Sequence, residues 1–322
     1  MSKSPSFSVV IPTYQRRDIV CDAVRALCAA EYAGEVELIV VIDGSTDGTE
    51  DALKAIDSAF PLTIVRQDNS GAAAARNRGA AAAKADILLF LDDDMICEAD
   101  LIEQHARMYR EGADAVVGDF PPDPGSRDGF LSQDLVETAD WERDSSALTS
   151  FDVFTGQLSV RRSVFEELGG FDEAFTAAGS YGNEDIDFGA RLLAKYRLRH
   201  APGAICRQRA TVSPAQYMRR ARNVARADMR FAAKHPALAA ELFARRGAGR
   251  TSRRLRLLSR LPLVPAMIGP LAVAAAELGL KTPLRSSRKL SHFFTGAYLV
   301  TYWSAVRALG GSDAEAGGPP KA

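Results

Sequence analysis

Residues Ile87 to Leu91 are five consecutive apolar residues, and Asp92, Asp93 and Asp94 follow them without a break. An apolar run of that length between polar segments is the pattern of a strand buried on both faces. Three carboxylates at the carboxyl end of such a strand repel one another, and loss of water sharpens the repulsion. They call for a cation. Carboxylate, water and phosphate oxygens suit magnesium or manganese. In an open α/β sheet, ligands sit beyond the carboxyl ends of the strands. The segment therefore points to a divalent metal that holds a phosphate-bearing substrate. The plainer alternative is a run of solvated acids in a loop.

The flanking sequence alternates strand and helix. Phe7 to Ile11 predicts a strand stopped by Pro12, and 18–30 a helix with Ile19, Val20, Val24, Leu27 and Cys28 on one face. A strand over Glu37 to Ile42 precedes a helix capped by Asp47 or Thr49 and running to about Ala59. Leu62 to Arg66 reads as a strand, 72–84 as a helix of small residues, 98–111 as a helix and Ala115 to Val117 as a strand. Pro121 to Gly125 reads as a loop. Such alternation predicts an α/β fold with a largely parallel sheet covered on both faces. Two parallel-sheet classes are excluded. A P-loop needs G-x-x-x-x-G-K-[ST], which is missing, and a dinucleotide fold needs a glycine fingerprint where Pro12-Thr13-Tyr14-Gln15-Arg16 stands.

Five segments in fixed order extend the pattern. They are Val9 to Arg16, Val40 to Gly48, Asn69 to Gly79, the Asp92–Asp94 run, and Gly182 to Phe188. In this order and spacing they resemble the family-2 glycosyltransferases, inverting enzymes of GT-A fold, over about residues 7 to 210. The resemblance implies that Pro12, Thr13, Tyr14, Arg16, Asp43, Arg76, Asp92 and Asp93 bind a nucleotide-diphosphate sugar, with Asp43 accepting the base N–H of a uridine. It implies Asp94, with Asp92, as ligands of Mg2+ or Mn2+. Asp185 is then the base that takes the acceptor's hydroxyl proton. Glu184, Gly156 and Gln157 line the acceptor, a glycan or a lipid-linked sugar. Relatives often carry a histidine after the strand that follows the acid pair. Here Arg207 stands nearby, so either water completes the metal shell or Arg207 meets the diphosphate. His105, His235 and His292 fall on predicted helices as packing or surface residues.

The net charge of -1 over 322 residues conceals a division. Residues 1–206 hold 19 Lys/Arg against 36 Asp/Glu, about -17, and residues 207–322 hold 21 against 5, about +16. The chain thus reads as a catalytic domain over 1–210, a basic amphipathic helical region over 211–309 and a disordered tail over 310–322. The basic region fits an anionic membrane surface. Leu261 to Leu280 is apolar except for Glu277 but holds three prolines, which favours an interfacial or re-entrant segment over a span. Phe293, Phe294, Tyr298, Tyr302 and Trp303 suggest an aromatic interfacial helix. A solvated helical cap is the competing reading, and no nucleic-acid recognition motif accompanies the arginines.

The four cysteines form no CxxC pair and no zinc spacing, and read as reduced thiols. The first residues carry no signal-peptide pattern. The expected protein is a cytoplasmic, peripherally bound transferase. The rival is a non-catalytic polyanion- or membrane-binding protein on a degenerate transferase fold. A nucleotidyltransferase would need a Gly-rich basic loop after the first strand, and Pro12-Thr13-Tyr14 does not supply one.

Overall fold

The computed structural model of the chain describes residues 4–121, 145, 147–177, 182–209, 213–246, 253–261, 263–282 and 287–311. The chain divides into two compact units. One comprises Met1–Asp123, Asp140–Ala178 and Glu184–Ala210, and the other Pro124–Ala139, Gly179–Asn183 and Thr211–Ala322.

The first unit is built on strands β1 (Phe7–Thr13), β2 (Val36–Asp43), β3 (Leu62–Gln67), β4 (Ile87–Leu91), β5 (Met95–Cys97), β6 (Ala115–Asp119), β7 (Gln157–Arg161) and β8 (Leu198–Gln208). They lie in the order β3-β2-β1-β4-β7-β6-β8-β5. Pairs β1–β2, β2–β3, β1–β4 and β6–β8 are parallel. The sheet is nevertheless mixed. β7 runs antiparallel to both β4 and β6, and β5 antiparallel to β8. An antiparallel neighbour needs no crossover helix, so the strand–helix rhythm of residues 7–91 carries no trace of it.

Alternate residues of β1 and β2 enter two separate cores. Val9, Ile11, Leu38 and Val40 pack with Val20 and Val24 of helix α1 (Arg17–Leu27), Leu53 of α2 (Thr49–Lys54) and Leu101 and Ile102 of α4 (Leu101–Arg110). Val10, Ile39 and Val41 face α3 (Ala72–Ala82), α5 (Arg162–Glu167) and α6 (Glu184–Leu193), through Ala73, Ala75, Phe165 and Phe188. The small residues of α3 allow it to lie close to the sheet. A Cβ on Gly79 would stand 2.4 Å from the Val10 side chain. α2 stops at Lys54, short of the expected Ala59, and Ser58 closes a separate turn with both the N–H and the carbonyl of Phe60.

Cys97 and Cys206 are joined by a disulfide, so the reading of four reduced thiols is corrected. The two stand directly opposite in the β5–β8 ladder, a pairing that a separation of 109 residues conceals in the sequence. Cys21 and Cys28 remain free.

The second unit contains α7 (Pro214–Lys234), α8 (Ala239–Arg245), α9 (Arg253–Leu258), α10 (Val264–Leu280) and α11 (Arg288–Ala308). Ser213 and Gln216 form a capping box at the start of α7, with Pro214 in the first turn. Phe294, Tyr302 and Trp303 of α11 are buried against Ala221, Ala225, Phe243, Ala272 and Ala276, with Tyr298 packed beside them. The aromatic helix is therefore part of the core and not an interfacial belt, apart from the exposed Phe293. Asp228 is fully buried and takes Arg246, Asn183 Nδ2 and the Tyr302 hydroxyl as partners. Among the described residues no helix is long and apolar enough to cross a membrane. Of the expected tail at 310–322, residues 312–322 lie outside the described residues, as do the loop residues 122–125.

His105 is wholly buried on α4, with Nδ1 2.8 Å from Ser159 Oγ, and burial pushes its pKa down to about 3. The unfolded chain takes this proton near pH 6.5 and the native protein does not, so stability is lost as pH falls below 6.5. His105→Asn is expected to reduce the pH dependence of stability between pH 6 and pH 4 by about 1.4 kcal/mol per pH unit. Urea unfolding at stepped pH measures the two slopes. Equal slopes for the two proteins rule out a buried neutral imidazole.

Candidate functional site

Strands β1, β2 and β4 end side by side, and their ends carry Thr13, Asp43 and Asp92–Asp94. The aspartates do not stand alone. Arg16 Nη1 donates to Asp93 Oδ1 at 2.5 Å and Nη2 to Asp94 Oδ2 at 3.1 Å. Thr13 Oγ1 donates to Asp93 Oδ2 at 2.8 Å. Arg76 Nη2 donates to Asp92 Oδ1 at 2.6 Å and Nη1 to Glu184 Oε1 at 2.8 Å. Two guanidiniums thus serve four carboxylates, and the site keeps an excess of negative charge. The effect is visible in the acids themselves. Burial pushes the Asp93 carboxyl up to about 6, although Arg16 and Thr13 pull the other way. Asp94 is raised by burial and by Asp92, against Arg16 and Gln208.

Arg76 is almost fully buried. Burial alone would weaken its hold on the proton, and Asp92 and Glu184 more than restore it. The segment around it explains itself residue by residue. Asn69 Nδ2 donates to the Asp43 carbonyl, and the N–H of Gly71 to Asp43 Oδ2. Asn77 exchanges two hydrogen bonds with the backbone of Phe171. Gly71 has φ +94, and a Cβ there would lie 2.3 Å from the Thr176 carbonyl oxygen, so only glycine fits.

Asp43 is buried, and its Oδ1 accepts from Gln67 Nε2 and from the Ser70 N–H, each at 2.8 Å. Its carboxylate therefore organises the loop between β3 and α3. Tyr14, directly after β1, is half exposed, and Pro12 is held in β1 opposite Val41. Gln15 takes the uncommon φ of 53°, pinned by its N–H on Ser45 Oγ and its amide on Thr46.

Helix α6 opens with Glu184 and Asp185. Glu184 is buried on Arg76, and its Oε2 has no hydrogen-bond partner. Asp185 is half-buried, its Oδ1 accepting from the Ile186 N–H at 2.8 Å. Asp187 is fully buried and bound to Arg191, whose other nitrogens meet the carbonyls of Leu168 and Gly170. It holds the turn after α5.

Three residues singled out in the sequence are engaged by the protein itself. Gln157 is fully buried, with Nε2 on the Ala204 carbonyl at 2.7 Å, so its amide is committed inside the sheet and not to an acceptor. Gly156 is buried against Phe154 and Met95. Arg207 turns to Glu98, because neighbouring strand residues face opposite sides. It is Gln208, one position on, that reaches Asp94 Oδ1, at 3.4 Å. The signal for Gln208 was strand alternation counted from Cys206, whose register the sequence does not reveal.

Among the described residues no three His, Cys, Asp or Glu side chains gather as a ready metal cage. The donors nonetheless suit a hard divalent cation. They are carboxylate oxygens, and they exceed the positive charge provided for them.

Residues 8–169 match the model of glycosyl transferase family 2, and residues 144–211 that of the N-terminal domain of galactosyltransferase. Validoxylamine A glucosyltransferase of Streptomyces hygroscopicus subsp. limoneus is 29% identical over 276 residues, 75% of this chain and 59% of that protein. The chain thus spans about three-fifths of that relative. Among solved structures, S. aureus TarS in complex with UDP is 20% identical over 94% of this chain and 91% of that chain, with a TM-score of 0.55. Mannosyltransferase PcManGT from Pyrobaculum calidifontis, in complex with GDP-Man and Mn2+, is 20% identical over 94% and 88%, with a TM-score of 0.57. The likeness establishes the GT-A type of fold.

Arg76→Met is expected to cost about 3–5 kcal/mol of stability, since it leaves Glu184 buried without its partner. Arg76→Met with Glu184→Gln is expected to recover part of that loss. Denaturant unfolding of both variants tests the coupling. A loss below about 1 kcal/mol for the single variant is the value of an exposed pair and contradicts it.

Proposed function

The chain belongs to glycosyltransferase family 2, and on that premise we propose that its first unit transfers a sugar, with inversion, from a nucleotide-diphosphate sugar to a hydroxyl of a glycan or lipid-linked acceptor. The observation that carries the reading is the Arg76 guanidinium, which binds the Asp92 end of β4 and the Glu184–Asp185 end of α6 into one site. Donor-binding acids and an acceptor-side acid then share one cleft. Asp43 favours a uridine donor through a lone pair on its ordered carboxylate. Structures of the same fold in complex with UDP and with GDP-Man support a nucleotide donor.

Asp185 is the proposed base. It takes the proton of the acceptor hydroxyl as that oxygen attacks the anomeric carbon. The bond from that carbon to the diphosphate oxygen breaks, and the electron pair leaves with the nucleoside diphosphate. Asp185 follows Glu184 in the first turn of α6 and is half-buried, with its Oδ1 on the Ile186 N–H, while Glu184 and Asp187 hold Arg76 and Arg191. Asp94, with Asp92, would hold magnesium or manganese, which offsets charge on the departing diphosphate.

The second unit supports attachment to an anionic surface, such as the inner face of the cell membrane. Of the two interfacial segments suggested by the sequence, 261–280 keeps an exposed apolar face and the aromatic helix does not. Leu263, Met267, Leu271 and Leu278 fall on one stripe of α10 and are each more than half exposed, from 59% to 72%. Leu257, Leu258 and Leu261 are exposed just before it. A row of large exposed apolar side chains is abnormal for a surface bathed in water. Exposed Arg254, Arg260 and Lys281 flank it, the arrangement of a helix lying in a headgroup layer.

Asp185→Asn is expected to lower transfer by a hundred- to ten-thousand-fold while donor affinity stays near wild type. Calorimetry with UDP and a transfer assay on one preparation read the two quantities. Transfer at the wild-type rate excludes Asp185 as the base, and loss of UDP binding moves it to the donor side.

The protein is expected to pellet with vesicles containing phosphatidylglycerol and to detach at high salt, where charge attraction is screened. Replacing Leu263, Met267, Leu271 and Leu278 by glutamine is expected to abolish pelleting, with circular dichroism unchanged. Retained pelleting assigns attachment elsewhere.

A further inference from the structure

The two site arginines differ in a way that the donor reading leaves unused. Arg76 is locked, with a side chain 5% exposed between two acids. Arg16 binds Asp93 and Asp94 with both terminal nitrogens, yet its side chain is 34% exposed. Its backbone is fixed by the Gln15 turn, held on Ser45 and Thr46, while its side chain makes no capping bond to α1. The guanidinium therefore has a rigid base and an open path to solvent. It also occupies Asp94 Oδ2, an oxygen for which a divalent cation on Asp94 would compete, and two cations on one oxygen repel each other strongly.

We propose that Arg16 is a resident counter-ion of the aspartate run, which leaves Asp93 and Asp94 when a divalent cation enters and turns to the diphosphate of the donor. This rests on the reading of the first unit as a nucleotide-sugar enzyme. The consequence is thermodynamic. A metal entering alone must expel a guanidinium that then has no anion to meet. A metal entering with a nucleoside diphosphate releases Arg16 onto phosphate oxygens, which accept it in a two-pronged bond. Metal and diphosphate therefore bind with positive coupling, and by linkage each strengthens the other by the same factor. Without metal the site stays partly neutralised, so the aspartates tolerate burial before the donor arrives.

The test is Mn2+ titration of the full-length protein, followed by loss of the free-ion electron paramagnetic resonance signal, with and without UDP. Wild type is expected to take up Mn2+ weakly alone and at least about tenfold more tightly with UDP, within the usual range of coupling between sites. Arg16→Met is expected to bind Mn2+ alone about tenfold more tightly than wild type and to lose most of the coupling. Arg16→Lys, a point charge that cannot span both carboxylates, is expected to fall between the two. UDP affinity without metal is measured in parallel by calorimetry. If Arg16→Met and Arg16→Lys, both folded by circular dichroism, bind Mn2+ alone no more tightly than wild type, Arg16 is not the competitor and the proposal is overturned. If UDP binds but Mn2+ does not bind to wild type under either condition, the metal assignment fails and takes this inference with it. If UDP itself does not bind, the donor reading fails first.

Discussion

The site depends on one buried guanidinium. Arg76 ties Asp92, 16 residues away, to Glu184, 108 residues away, at distances of 2.6 and 2.8 Å. A buried charge without a partner costs far more than an ordinary contact returns, so these three groups stand or fall together. What places Arg76 there is the poverty of its own helix. α3 carries alanines and Gly79 against Val10, so its axis lies close to β1 and a long side chain can reach past the strand ends. Larger residues on α3 would push the helix outward and leave the acids of β4 and α6 with no common cation.

A second layer of order comes from backbone donors. Asp43 receives the N–H groups of Ser70 and Gly71, and Ser45 and Asp47 receive those of Gln15 and Arg17. The loops after β1, β2 and β3 are thereby stitched to one another by the protein's own groups. A site fixed in advance loses less freedom on binding, so more of the interaction with a donor appears as affinity. The same stitching explains why Asp43 was legible as important while its local task was not. A carboxylate closing a strand reads as a ligand-facing group, and the sequence holds no sign that two main-chain amides already face it.

Much of the first unit was readable. The apolar runs of β1, β2 and β4 are long enough to specify buried strands, and each is followed by a polar turn, so the sequence alone marks their carboxyl ends and the acids on them. The family resemblance added the order of the motifs, and the family match agrees with it. What stayed hidden depends on pairing across long separations. The Cys97–Cys206 disulfide and the place of Gln208 both require the register of β5 against β8. Gln157, a polar residue in a strand, looks functional until the Ala204 carbonyl is seen to take its amide. In the second unit the aromatic cluster of α11 misled for a related reason. Composition shows that a helix is amphipathic, but not whether its apolar side meets lipid or a neighbouring helix. Ala221, Ala225, Ala272 and Ala276 supply the neighbour, small enough to admit Tyr302, Trp303 and Phe294.

The division of charge acquires a physical meaning at this point. A chain with about -17 in residues 1–206 and about +16 in residues 207–322 cannot present one kind of surface throughout. The acidic part must receive a polyanion if it takes a nucleotide donor, and it does so only where cations are concentrated. Arg16 and Arg76 bring two of them to the strand ends, each already engaged with acids. The remaining deficit is what gives a divalent ion its place. The basic part has the reverse problem. Among its described residues the acids are Asp228, buried and paired, and the exposed Glu241 and Glu277, so positive charge outnumbers negative there. Such a surface gains from a sheet of negative headgroups in proportion to the charges brought within a Debye length. The exposed leucines of α10 then add an attraction that salt does not screen.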